Sequence, residues 1–241
     1  EEFWEGYKGN GEPYGLINLE AARRMGRTGE IQYPDHDVMG FNPCAEQSLA
    51  NYETCCLAEI YLPNITSKDE LYEVARLLYR INKHSLAIKC VVQETEDIVH
   101  KNMRMGIGVT GYLQATEEQK NWLSDCYNYL RAYDDEYSKA KGFNPSIKLT
   151  TVKPSGTLSL LAGVTSGAHP GYSQYYIRRI RMASDSPIVD VCKSHGYHVE
   201  FQRNFDGTED HSTVVVSFPC KFPEGTMLAN DMTALDQLEV I

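Results

Sequence analysis

The chain has 241 residues, 42 % of them hydrophobic and 23 % charged, and a formal net charge of −10; its isoelectric point lies near 5.2. That length accommodates one large domain or two small ones, and the composition is that of a globular protein able to bury a core. The acidic balance excludes a nucleic-acid coat or a membrane-surface binder, which need a basic face, and no run of eighteen apolar residues offers a bilayer span.

In chain order, "LAEIYLP" (57–63) reads as a buried strand. "SKDELYEVARLLYRINKHSLAI" follows as a helix, opened by a capping box from Ser67 to Glu70. Leu71, Val74, Ala75, Leu78 and Ile81 recur at helical spacing and predict its core face. "ETEDIVHKNMRM" is a shorter helix and "IGVTGYLQ" a strand punctuated by glycine. Thr116 and Gln119 form a second capping box, opening a long helix that ends near Gly142. "SIKLTTV" (146–152) is a β-branched strand, and "KPSGTLSLLAG" turns into a helix. "QYYIRRIRM" is strand-like, "SPIVDVCKSHG" is a helix with Pro187 in its first turn and Gly196 past its end, and "STVVVSFP" (212–219) is a last strand. Strands alternating with helices indicate an α/β fold.

Seven cysteines at irregular spacing, with no CxxC pair, read as reduced thiols of a cytoplasmic protein rather than as a disulfide framework. The sequon-like "NIT" at Asn64 then belongs to a strand-to-helix turn. The chain opens without a methionine and ends with Leu235, Leu238 and Ile241 at helical spacing and no stop signal, so a fragment of a longer polypeptide is expected.

Two segments carry chemistry. In "FNPCAEQSLANYETCCLAE" (41–59), Asn42, Cys44 and Glu46 alternate, and in an extended backbone they share one side. The thiol offers a reactive sulfur, the carboxylate a base, and the amide both a donor and an acceptor. Cys55 supplies the second thiol that two-electron redox chemistry needs. Cys56 points the other way and reads as structural. In "TTVKPSGTLSLLAGVTSG" (150–167), a strand enters a Pro-Ser-Gly-Thr turn before a helix, an arrangement that aims backbone N–H groups at an anion. The phosphate-loop signature GxxxxGK[ST] is absent, which removes a standard nucleoside triphosphatase. Cys192, His195 and His198 lack a fourth ligand for zinc, so no metal site is expected. Arg178, Arg179 and Arg181 alternate with core residues and are a secondary phosphate candidate.

"NPCAE" followed by "ETC", with "KPSGTLSLLAGVTSGAHPGY" over a hundred residues downstream, closely resembles the catalytic chain of ribonucleotide reductases. The stretch from Lys153 through Met182 is most similar to the single-chain, adenosylcobalamin-dependent class II branch, whose members reduce nucleoside triphosphates. The resemblance implies part of a ten-stranded α/β barrel: residues 1–40 as lead-in, 41–56 as the central finger loop and 57–241 as the second half-barrel, all within one catalytic domain. It implies Cys44 as the thiyl radical, Glu46 as the base for the 3′-hydroxyl, Asn42 as the amide on the substrate hydroxyl, and Cys55 as one member of the reducing dithiol. Pro154, Ser155, Gly156, Thr157 and Leu158 match the loop that holds the substrate phosphates. The implied cofactor is adenosylcobalamin, and the implied partners are a nucleoside triphosphate and a thioredoxin-like reductant, with no membrane and no direct nucleic-acid binding. A class I chain of the same family and a non-catalytic nucleotide-binding fragment stay open as alternatives. A cysteine hydrolase with Cys44 as nucleophile needs a histidine brought to it by folding, with His84, His100 and His169 the candidates.

Overall fold

The computed structural model describes residues 4–5, 15–25 and 35–240. The chain divides into two compact units, Glu1–Ala168 and His169–Ile241. In the first, α1 (Leu19–Arg24) is capped by Asn18, and β1 (Val38–Phe41) and β2 (Ser48–Ala50) form an antiparallel hairpin. There follow β3 (Leu57–Tyr61), α2 (Lys68–Leu86), α3 (Gln93–Asn102), β4 (Gly106–Thr110), α4 (Glu117–Lys141) and the single turn α5 (Ser159–Ala162). β3 and β4 pair in parallel, from Leu57 opposite Gly106 to Tyr61 opposite Thr110. Parallel neighbours require a long crossover, and α2 with α3 provides it.

The helix boundaries expected from capping are present. Ser67 Oγ accepts the Glu70 N–H at 3.2 Å, while the Glu70 carboxylate reaches one residue further back, to the Thr66 N–H at 2.6 Å. Thr116 and Gln119 form the full reciprocal box, and Gly142, at φ 72°, ends α4 in the left-handed region that glycine tolerates best. Segment 146–152 is less regular than expected. Its backbone runs along the free edge of β4, with the Ile107 N–H donating to Leu149 O at 2.8 Å and the Met105 N–H to Lys148 O at 3.0 Å, but it forms only one bridge, Thr150 with Ile107.

The parallel row has two different faces. Ile60 and Ile107 are buried against α2 and α4, beside Leu71, Ala75, Cys126, Leu130 and Leu149. The buried face of α2 is not quite the one the apolar spacing predicts. Leu71, Ala75, Tyr79, Asn82, Lys83 and Leu86 are buried, Val74 and Leu78 sit at the margin, and Ile81 is 62 % exposed. An ion pair rotates the stripe. Lys83 Nζ lies 2.8 Å from Asp134 Oδ1 and donates to Asn144 O and Ser146 Oγ at 2.7 and 2.9 Å. Tyr79 Oη donates to the same Asp134 oxygen at 2.6 Å, and the Ser146 N–H to the other at 2.7 Å. A buried charge is tolerated when it is paired and its remaining hydrogen-bonding capacity is used.

The second unit is an antiparallel sheet in the order β5–β7–β6, made of β5 (Tyr175–Ala183), β6 (His198–Arg203) and β7 (Glu209–Lys221). α6 (Pro187–Ser194) precedes β6, and α7 (Ala234–Val240) follows. The β5 and β7 signals in the sequence are found, with β7 longer than expected at both ends. β6 has no counterpart in the expected elements: "HVEFQR" is short, polar and interrupted by a bulge after Phe201. On β5, Arg179 and Arg181 stand on the exposed face, where Arg179 pairs with Glu200.

Burial pushes the Asp134 carboxyl up, but the donors of Lys83 and Tyr79 and the Lys83 charge outweigh it and hold it below the usual carboxylate range. Its stabilising effect is therefore fully present above the unfolded value of about 4 and is lost as pH falls through the lower folded value. Replacing Asp134 with Ala strands Lys83 and Tyr79 without their acceptor and should cost about 3–5 kcal/mol in urea unfolding at pH 7. The gap between parent and variant should narrow below about pH 4.

Candidate active site

The hairpin β1–β2 presents a tight turn over residues 42–47. It is closed twice by Asn42: the Asn42 N–H donates to Gln47 O at 3.1 Å, and the Gln47 N–H donates back to Asn42 Oδ1 at 2.9 Å. The Ala45 N–H bonds Asn42 O at 2.9 Å, and Ala45 itself lies at φ 61°. The segment is thus a turn and not the extended strand assumed for alternate side chains. Cys44 is exposed at its tip, and Glu46 is half-buried with Oε2 shielded from solvent and without a hydrogen-bond partner among the described residues.

Folding, rather than strand alternation, brings the second thiol to this turn. Asn42 Nδ2 lies 3.7 Å from Cys55 Sγ. Burial raises the Cys55 thiol above its ordinary pKa, the charges of Glu46 and Cys44 raise it further, and Lys153 pulls it down. Cys56 turns inward, its Sγ 3.9 Å from Asn82 O, and burial pushes it up to about 11.

The face of the parallel row opposite the helices is shaped for this turn. A Cβ on Gly106 would sit 1.9 Å from Gln47 Nε2, and one on Gly108 would sit 2.9 Å from Lys153 Cβ. Two glycines on one side of β4 let the hairpin and Lys153 approach the backbone closely. Thr151 Oγ1 donates to Glu46 O, Thr110 Oγ1 donates to Glu59 Oε1, and Lys153 Nζ lies 3.5 Å from Glu59 Oε2.

Lys153 leads into the Pro154–Leu158 turn. Here Ser155, not Gly156, takes the left-handed conformation, at φ 53°. Ser155 is buried and its Oγ has no partner among the described residues. Gly156, Thr157 and Leu158 are exposed, and a Cβ on Gly156 would meet open space. The returning chain packs beneath, since a Cβ on Gly167 would lie 2.2 Å from Lys153 O.

Residues 11–125 match the family model described as ribonucleotide reductase, barrel domain. The chain is 37 % identical over 241 aligned positions to an adenosylcobalamin-dependent ribonucleoside-triphosphate reductase of Euglena gracilis, covering 96 % of this chain and 32 % of the relative. It is 34 % identical over 251 positions to the enzyme of the same name from Lactobacillus acidophilus, covering 90 % and 33 %. A crystal structure of a B12-dependent (class II) ribonucleotide reductase superposes with a TM-score of 0.76 at 32 % identity, covering 92 % of this chain and 35 % of that one. These matches make the chain similar to ribonucleotide reductases, with the barrel-domain likeness over residues 11–125. It spans about a third of the length of the curated relatives it matches.

Within this chain, Asn42, Glu46, Cys44 and Cys55 share one site, and Lys153 joins it from the start of the Pro154–Leu158 turn. Gln47, Glu59, Thr110 and Thr151 escaped sequence reasoning. The alternating glycines of "GIGVT" were their available signal, because such spacing in a strand marks a close approach. Cys192, His195 and His198 form no metal-binding group, and no cluster of three or more potential ligands exists among the described residues. His84 is engaged by Tyr137 Oη at 2.9 Å and by the Phe143 ring in the helical layer. No helix among the described residues is long and apolar enough to cross a membrane.

Removing the Glu46 charge removes one of the influences that raise Cys55, so Glu46→Gln should lower the Cys55 pKa and enlarge its thiolate fraction. Iodoacetamide labelling of Cys55 at pH 8, followed by mass spectrometry, should quicken roughly two- to fivefold. An unchanged rate would mean that Glu46 does not face this thiol.

Proposed function

We propose that this chain carries the catalytic turn of a class II ribonucleotide reductase that converts ribonucleoside triphosphates to 2′-deoxyribonucleotides in the cytoplasm. The observation that carries this reading is the single turn that exposes Cys44, sets Asn42 against Cys55 and leaves a Glu46 carboxylate oxygen without a partner. β3, β4 and segment 148–151 are read as strands of the second half of a ten-stranded α/β barrel, with residues 1–40 as lead-in, 41–56 as the finger loop and 57–241 as the half-barrel. The names of the relatives favour the class II branch over class I.

Cys44, at the exposed tip, is placed where a radical donor can reach it, so the residues present suit adenosylcobalamin, which supplies the radical equivalent when bound. As a thiyl radical, Cys44 takes the 3′-hydrogen of the ribose, reforming its S–H bond. Glu46 accepts the 3′-hydroxyl proton, a step suited to a carboxylate with a free acceptor. Asn42 hydrogen-bonds the substrate hydroxyl. The 2′-hydroxyl leaves as water: Cys55 and a second thiol together give two protons and two electrons and become a disulfide, one proton going out with the hydroxyl, the other with the electrons supplying the new hydrogen at C2′, while Glu46 returns its proton to the 3′-oxygen. Cys44 returns its hydrogen atom to C3′. A thioredoxin-like dithiol then reduces the disulfide. The Pro154–Leu158 turn holds the triphosphate through its backbone, exposed from Gly156 to Leu158, and the Thr157 hydroxyl, with Ser155 buried beneath.

Cys44→Ser in the full-length enzyme should abolish deoxynucleotide formation, because a serine O–H bond is too strong for the same hydrogen exchange. Product assays by chromatography check this, and retained product formation would sink the assignment. At the phosphate turn, Gly156→Val should weaken triphosphate binding at least tenfold while leaving thermal stability unchanged, since its Cβ points into open space. Thr157→Ala should cost about 1 kcal/mol of binding. Nucleotide titrations of both variants decide it, and parent-like affinity in Gly156→Val would move the phosphate site elsewhere.

A further inference from the structure

Beneath the catalytic turn lies a buried group of charges that the reaction does not use. Arg104, 1 % exposed, precedes β4. Its guanidinium grips Asp35 with both ends, Nη1 to Oδ2 at 2.6 Å and Nη2 to Oδ1 at 2.9 Å. Its Nε lies 3.0 Å from Glu53 Oε1, and Nη1 donates to Ser48 Oγ at 3.3 Å. Lys148 Nζ also donates to Ser48 Oγ, at 2.6 Å, and lies 3.6 Å from Asp35 Oδ2. Glu53 accepts the Ala50 N–H at 2.7 Å and Asn102 Nδ2 at 2.9 Å. Two cations and two carboxylates thus neutralise one another in a nearly dry space.

On the hairpin side the quartet's contacts run from its base to Ser48, the β2 residue next to the turn. Asp35 precedes β1, Ser48 and Ala50 are in β2, and Glu53 follows it. On the other side the contacts fall at Arg104, just before β4, at Lys148 in the segment along its edge, and at Asn102, which ends α3. The turn itself touches the row only lightly, through Thr151 on Glu46 O and through Gln47 over Gly106. A bidentate fork fixes angle as well as distance, which an apolar contact does not.

We propose that Arg104 is the positioning residue of the catalytic turn: through Asp35, Glu53 and Ser48 it sets the register and height of the β1–β2 hairpin over β4, and so places Cys44, Asn42 and Glu46 relative to Cys55. The chemical consequence rests on the reductase reading above; the structural one does not. A buried pair can be exchanged for apolar residues of similar size with little loss of stability. A reacting group displaced by about 1 Å can lose about 100-fold in rate.

The test uses the full-length enzyme in two variants. Arg104→Lys keeps the charge and loses the fork. The double variant Arg104→Met with Asp35→Leu removes one charge of each sign and leaves Lys148 with Glu53. In both, kcat should fall about 10- to 100-fold with triphosphate affinity within about threefold of the parent. Hydrogen exchange of the peptide covering 41–50 should quicken at least tenfold, with exchange in α4 unchanged. For Arg104→Ala, added guanidinium at millimolar concentration should restore part of kcat. Parent-like kcat and parent-like exchange at 41–50 in Arg104→Lys would overturn the proposal, as would equal loosening of α4 and the hairpin. If the parent enzyme itself reduces no ribonucleotide, the reductase reading fails, and hydrogen exchange alone still decides the role of Arg104.

Discussion

The buried grip of Arg104 on Asp35 and Glu53 is the interaction on which the candidate site depends. The β1–β2 hairpin is only two short strands, and a two-stranded ribbon is marginal by itself in water. Its strands contribute three buried apolar or small side chains at most, so hydrophobic burial does not account for its placement. Burial opposes the Arg104 charge, yet the two carboxylates more than compensate and keep the guanidinium firmly protonated. Lys148, with weaker partners, is shifted down by its burial. The quartet binds through direction as much as through energy. Removing Arg104 takes away the one cation that touches both carboxylates, which makes the arrangement least tolerant of loss at that position.

The rest of the first unit divides its labour between the two faces of the parallel row. Ile60 and Ile107 pack against α2 and α4 and supply the stabilising burial, anchored further by the Lys83–Asp134 pair with Tyr79. The other face is nearly stripped of side chains at Gly106 and Gly108. This costs strand stability, since glycine in a strand has no side chain to pack. It makes space for Gln47 and Lys153, and with them for the turn over 42–47. A rigid apolar layer beneath a thin, polar upper layer suits a site whose reacting atoms must be held closely while leaving space above for a substrate.

The electrostatics of that upper layer also bear on the proposed reaction. Cys55 is kept as a thiol by burial and by the neighbouring negative charges, and a protonated thiol is the form that can deliver both a proton and electrons. Lys153, tied to Glu59, tempers this shift from the opposite side. The pair sits at the start of the turn that begins at Pro154.

The sequence alone determined the alternation of strands and helices, the two capping boxes and the end of α4 at Gly142. These are local signals: each is set by residues within one turn or one motif of each other, so spacing suffices to read them. It did not determine the true buried face of α2, because Lys83 is buried only by virtue of Asp134, fifty-one positions away. Nor did it show that the Asn42–Glu46 stretch is a turn, because the left-handed Ala45 has no signature of its own. β6 was invisible because a short polar strand acquires its identity from the neighbour it pairs with. The Arg104 quartet joins positions 35, 53, 104 and 148, and only the tertiary structure decides such a grouping. A salt bridge in a dry interior is specified by geometry, and geometry between distant segments exists only once the chain has folded.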